Sequence, residues 1–214
     1  MPVFAWSQAG FSRAATPIRA RGTIPAPDGK KSIVVKTVEG LPAILVRAGG
    51  HFYYPSVPPL LNAEAAWAPD SKAFFVTYSD AGNVGRYHVL VVYVTDVGVH
   101  VIEPVPDGGS LFKPTCFDPE PPNVGAIGWL GSVSDRLAIA VEVPPHSSCA
   151  SMGTFKVYEI QLPGGRVVST YGQIAAKRAF SRLIGIELRN ADDDCIRKPQ
   201  TCIPCGMRGG VCSQ

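Results

Sequence analysis

The sequence predicts an all-β chain of three successive four-stranded antiparallel sheets, followed by a short C-terminal helix and a cysteine-rich tail. Three observations carry that reading. The stretch Ala66-Trp-Ala-Pro-Asp-Ser-Lys-Ala-Phe-Phe-Val-Thr-Tyr78 sets apolar and aromatic residues on both sides of a Pro-Asp-Ser turn. Proline presets φ there and the Asp side chain bonds the backbone two residues on, so the flanking runs return antiparallel. Of 214 residues, 22 are Gly and 20 are Pro while only 17% are charged, a composition of short elements and many turns. The same strand-turn-strand order also recurs along the chain: Asp28 and Asp70 lie 42 residues apart, Asp70 and Asp135 lie 65 apart with the excess in the insert 104–124, and Trp67 and Trp129 each stand shortly before a turn.

Taken in order, residues 1–17 read as an arm, either poorly ordered or added to a sheet edge. Its apolar run Val3-Phe-Ala-Trp6 has neither the basic region before it nor the longer apolar core that a signal peptide needs. From Ile18 the pattern is β. A short segment reaches Ile24, the turn 26–29 follows, and Lys31-Ser-Ile-Val-Val-Lys-Thr-Val38 is dominated by β-branched residues. Glu39-Gly40 turns the chain, 41–47 returns, 48–50 turns again, and His51-Phe-Tyr-Tyr54 closes the group before the proline-rich break 55–59. The second group runs through strands 63–68, 72–78, 87–94 and 99–103. The third runs through 125–130, 136–143, 154–161 and 166–171. After Tyr171 the period changes. Ile184, Leu188, Ala191 and Cys195 fall on one stripe of a helix, and residues 173–180 predict a further helical turn; together they are expected to cover an open sheet edge. The division is thus 1–17 arm, 18–171 β domain, 172–198 helical segment packed on the sheets, and 199–214 tail.

Ala26-Pro-Asp-Gly-Lys30 and Trp67-Ala-Pro-Asp-Ser-Lys-Ala73 resemble the tryptophan-(serine/alanine)-proline-aspartate-(glycine/serine)-lysine motif of WD-like β-propeller repeats, including those of the Tol-type propellers. The third copy keeps Trp129 and Asp135 and lacks the proline. The period near 42 agrees with four-stranded blades of roughly 40–45 residues. The resemblance implies blades over residues 18–171 and says nothing of chemistry. Three blades are fewer than the four to eight of a closed ring. The expectation is therefore a partial propeller that stands as a compact stack or joins an oligomer or larger assembly.

The chemical signals are sparse. Cys195, Cys202, Cys205 and Cys212 follow an x6, x2, x6 spacing, with Cys116 and Cys149 upstream. A four-thiolate zinc site in the tail would ordinarily use two close pairs, and only one is present, so disulfides are the preferred reading and no metal or cofactor is expected. Six cysteines allow 15 pairings. The reading favours Cys195 with Cys202, Cys205 with Cys212, and Cys116 with Cys149, the last two lying in neighbouring long loops. An even cysteine count points to a periplasmic or extracellular site. No nucleophile elbow, phosphate loop or dinucleotide fingerprint is present. Asp28, Asp70 and Asp135 read as turn formers, and Asp192-Asp-Asp194 as a solvated helix face.

In an up-and-down meander, alternate connections emerge at the same end. Those at one end are short (69–71, 95–98, 131–135, 162–165), and those at the other are long (55–62, 79–86, 104–124, 144–153). Long loops on a rigid scaffold carry binding, so the candidate binding residues are Asp80, Asn83, Arg86, Phe117, Asp118 and His146. The expected function is a non-enzymatic, exported domain that binds a protein or glycan through this face. The alternatives are a hydrolase of unknown type and a zinc module in the tail. With a net charge of +3 and no basic run, no nucleic-acid partner is expected. No apolar stretch is long enough for a membrane-spanning helix.

Overall fold

The computed structural model describes residues 10–19, 21–82, 85–112, 120–145, 147 and 151–193. Strand β1 (Thr16–Pro17) comes first and belongs to the second sheet. The first sheet holds β2 (Gly22–Pro25), β3 (Ser32–Val38), β4 (Leu41–Ala48) and β5 (His51–Tyr53) in chain order. The second holds β6 (Leu61–Trp67), β7 (Ala73–Ser79), β8 (Tyr87–Thr95) and β9 (Gly98–Ile102), with β1 paired to the free edge of β6 as a fifth strand. The third holds β10 (Asn123–Trp129), β11 (Arg136–Glu142), β12 (Phe155–Gln161) and β13 (Arg166–Gly172). Every pairing is antiparallel. These are the three blade-like sheets that the repeated turn predicts.

The sheets stack face to face, which explains why the middle one is so apolar. Phe74 and Val76 of β7 pack with Ile33, Val35, Ile44 and Val46 of the first sheet. Phe75, on the opposite side of the same strand, packs with Trp129, Leu137, Ile139 and Val141 of the third. A strand covered on both faces cannot alternate apolar with polar, and all seven residues of β7 are buried.

Consecutive sheets are also tied at equivalent positions. Trp67 Nε1–H donates to the carbonyl of Ile24 in β2, and Trp129 Nε1–H to the carbonyl of Ala66 in β6, both at 3.1 Å. The rings are 8% and 9% exposed, so each indole buries its body between two sheets and satisfies its one donor on the strand behind. Pro25 stands at the corresponding place in the first sheet.

The turns are stitched in the same direction. Asp28 Oδ1 accepts from the N–H of Lys30 within its own turn, while the Asp28 N–H donates to Ser71 Oγ in the next. Asp70 Oδ1 accepts from the N–H of Lys72, and its Oδ2 accepts from both the N–H and the hydroxyl of Ser134 in the third sheet's turn. The third copy departs from the simple spacing. The Lys72 carbonyl accepts from the Val94 N–H, and the Asp135 carbonyl from the Leu162 N–H, so Asp135 is the counterpart of Lys72 and not of Asp70. Asp70→Ala is expected to lower stability by about 1–3 kcal/mol, since it strips the partners from Ser134 and Lys72; urea denaturation measures it, and a change below a few tenths would show the stitch to be idle.

The C-terminal helices are shorter and differently placed than the stripe suggests. α1 (Gln173–Ala179) and α2 (Ile186–Asn190) cover the outer face of the third sheet, not an edge: Ala176, Phe180, Ile184 and Leu188 pack on Ile127, Ala138, Ala140, Phe155 and Val157. Ile184 lies before α2, bridged to Ser12, and Ala191 is its C-terminal cap. The cause is a competing pairing. Leu183 O accepts from the Arg13 N–H and the Gly185 N–H donates to Phe11 O, which holds 183–185 extended against the N-terminal segment.

Candidate functional site

The two ends of the β7–β8 connection are tied by their own polar groups. Buried Ser79 donates its hydroxyl to the Gly82 carbonyl at 2.6 Å and accepts from the Ala81 N–H. The Asp80 N–H donates to Arg86 O, and the Arg86 N–H returns to Asp80 Oδ1 at 2.8 Å. Gly85 is required where the chain folds back: a Cβ there would lie 2.2 Å from Ala81 N and 2.5 Å from Asp80 Oδ1. His88 sets Nε2 at 3.3 Å from Asp80 Oδ2 and Nδ1 at 3.6 Å from Glu103 Oε1, with Tyr78 stacked on its ring. The Asp80 carboxylate is therefore fully engaged, whereas the Arg86 guanidinium makes no ion pair among the described residues.

Asp80, Ala81, Gly85 and Arg86 form one wall of a cavity of about 260 Å3; the others come from Glu120 and Pro121, from Asn123 at the start of β10, and from Pro144 after β11. Three of the long connections thus converge on one place. Of the six binding candidates, Asp80 and Arg86 line this cavity. Asn83, Phe117, Asp118 and His146 lie outside the described residues, and so do Cys116, Cys149, Cys195, Cys202, Cys205 and Cys212 with the pairings proposed for them.

Beneath the cavity is a polar layer that the sequence reading passed over. Asn123 Oδ1 accepts from the Tyr87 N–H, and its Nδ2 donates to Glu142 Oε2, both at 3.2 Å. Glu142 is 2% exposed, and desolvation pushes its carboxyl up to about 8. Glu64, 3% exposed, accepts from the N–H groups of Gly10 and Ser12 and is pushed up to about 7, again by desolvation. Both were visible as single acids inside apolar runs, Asn-Ala-Glu64-Ala-Ala-Trp and Ile-Ala-Val-Glu142-Val. A lone carboxyl in a strand buried on both faces has no route to water, and that was the missed signal. Among the described residues no group of three or more His, Cys, Asp or Glu is placed to hold a metal, and no helix is long and apolar enough to cross a membrane.

No family model and no curated protein matches the chain. Solved structures do. The crystal structure of TolB from Acinetobacter baumannii is 19% identical over 69% of this chain and 31% of its own, with a TM-score of 0.39. The TolB-designated protein of Agrobacterium tumefaciens is 13% identical over 71% of this chain and 50% of its own, with a TM-score of 0.37. The likeness is a distant one of fold, and this chain spans half or less of the length of either protein.

Proposed function

We propose that the chain is a non-enzymatic interaction domain of an oxidising compartment, which binds a protein or glycan through its long-loop face. The observation that carries this reading is the pair Asp80 and Arg86, tied to each other by backbone and carboxylate hydrogen bonds, with a guanidinium that pairs with no described residue at the rim of a cavity lined from three long connections. Residues already tied by hydrogen bonds lose little conformational entropy on binding, and a planar guanidinium suits a carboxylate or other anionic group on the partner. The even cysteine count supports export, and non-reducing peptide mapping tests it directly.

The face is tested by photo-crosslinking from position 86, with position 97 on the opposite, short-turn end as control. The expected result is a partner captured at 86 and not at 97, with affinity reduced at least tenfold by Arg86→Glu. Equal capture from both positions, or unchanged affinity, would overturn the reading. Sustained turnover of ester, phosphoester or glycoside substrates that is lost in Glu142→Gln would install a hydrolase instead, with the buried carboxyl as its acid.

A further inference from the structure

The two outer faces of the three-sheet stack are finished differently. On the third sheet, α1 and α2 lay Ala176 and Leu188 over the strands. On the first sheet, strand alternation decides which side chains face outward. Ile33 and Val35 of β3 and Ile44 and Val46 of β4 point into the core shared with the second sheet, so Ser32, Val34, Lys36, Leu45 and Arg47 point away from it. Neither Val34 nor Leu45 belongs to any of the buried cores that join the sheets. Phe52 of β5, paired with Arg47, lies on the same outer face and is 54% exposed.

Matching the first sheet to the second shows what this face has given up. The Ala26 N–H donates to Lys31 O in the first turn and the Ala68 N–H to Ala73 O in the second, so Ala26 matches Ala68. Pro25 then matches Trp67, Ser32 matches Phe74 and Lys36 matches Tyr78. The cross-strand pairs Ser32 with Arg47 and Phe74 with Val92 make Arg47 the counterpart of Val92. In the second sheet, Trp67, Phe74, Tyr78 and Val92 are all buried in the core against the first. The first sheet sets proline, serine, lysine and arginine at those positions and stays apolar at Val34, Leu45 and Phe52. A further sheet packed there would bury Lys36 and Arg47 without counter-charges, a desolvation that nothing offsets. A second copy meeting this face through a two-fold axis would set the same cations against each other.

The strands of the first sheet carry no acid, and neither Lys36 nor Arg47 pairs with a described residue. Across from Arg47, Ser32 is 1% exposed and its Oγ has no hydrogen-bond partner. A free guanidinium and an unmet hydroxyl side by side lack the same thing, an acceptor, and one carboxylate serves both. We propose that this face docks an acidic amphipathic helix of a partner protein, with the apolar stripe of the helix on Val34, Leu45 and Phe52 and its carboxylates on Lys36 and Arg47. An apolar centre with a charged rim is the anatomy of a protein interface. The spacing fits as well. Lys36 lies four residues beyond Ser32 on β3, so the two cations stand about 13 Å apart along the strands. Residues seven apart share one side of a helix at about 11 Å, within reach of glutamate side chains. The docked helix does for the first sheet what α1 and α2 do for the third, on a surface distinct from the cavity beside Arg86.

A displayed library of helix-forming peptides, randomised on one side and selected on the full chain, tests this, with fluorescence anisotropy of the most enriched peptide as the readout. Enriched peptides are expected to carry acids about seven residues apart beside an apolar stripe. Arg47→Glu and Lys36→Glu should each weaken binding at least tenfold, and Phe52→Ala about fivefold or more. Lys72→Glu, the same charge change in an exposed turn of the second sheet, should leave it within about twofold. All four positions are exposed, and unchanged urea midpoints verify that each variant is folded. A peptide with its acids changed to lysine should regain affinity for the Arg47→Glu chain. Enrichment of neutral or basic peptides, equal weakening by Lys72→Glu, or binding indifferent to Phe52 and Arg47 would each overturn the proposal. So would a dimer of the chain broken by Phe52→Ala in sedimentation, which gives the face to a second copy, or tighter binding of a thymidine oligonucleotide lost in the same variants, which gives it to nucleic acid.

Discussion

Trp129→Ala is expected to lower the stability of the protein by about 3–5 kcal/mol, read as a drop in the urea midpoint with little change in slope. The ring packs against Phe75 of the neighbouring sheet at 6.1 Å between centroids and spends its N–H on the Ala66 carbonyl. Truncation leaves a cavity between the second and third sheets and strips that carbonyl of a donor. Trp67→Ala repeats the lesion one sheet earlier, against Phe74 at 4.9 Å and the Ile24 carbonyl, and should cost a similar amount. Trp→Phe at either site retains much of the buried area and loses only the hydrogen bond, so it should cost clearly less. Equal losses for Phe and Ala would place the energy in the bond instead of the packing. A loss below 1 kcal/mol for either alanine variant would dismiss the latch.

The second large effect concerns Phe11 and Gly125, which fit together as ring and vacancy. A Cβ on Gly125 would lie 2.1 Å from Phe11 Cδ1, closer than two non-bonded carbons can stand. Gly125→Ala should therefore cost about 2–3 kcal/mol by overpacking, and Phe11→Ala about 3–5 kcal/mol by emptying a site that is almost wholly buried. The double variant should cost no more than Phe11→Ala alone, because the added methyl occupies part of the space the ring leaves. Additive losses in this double-mutant cycle would show that the two residues do not share a volume.

The repeated turn explains how much of the architecture was legible in the chain. Asp28 and Asp70 have local duties, since each accepts from a backbone N–H two residues on, and local duties leave a spacing that a reader can find. Trp67 and Trp129 likewise mark the second and third sheets, each anchored on the sheet before it. Asp135 shows the limit: the third turn is one residue longer than the second, and its aspartate takes the position of Lys72, two residues past that of Asp70, a match visible only in the register of Val94 and Leu162. At the site, Asp80 and Arg86 were legible as loop residues between two strands. Their convergence with Glu120, Asn123 and Pro144 was not, because those residues are brought together only by the stacking of separate sheets.

By itself, then, the sequence determined the strand order, the turns and the two kinds of end, since alternation and turn chemistry act over a few residues. Tertiary structure decided everything that depends on which faces meet. It supplied the two sheets that cover β7, whose unbroken apolar run Ala73-Phe-Phe-Val76 calls for burial on both sides without saying by what. It shortened the C-terminal helix by pairing 183–185 with residues 11–13, far earlier in the chain. It also carried Glu64 and Glu142 out of water and so raised both carboxyls, of which the sequence showed only a single acid in each apolar run. Burial of a carboxyl is a property of the neighbours stacked upon it, and no stretch of its own strand encodes them.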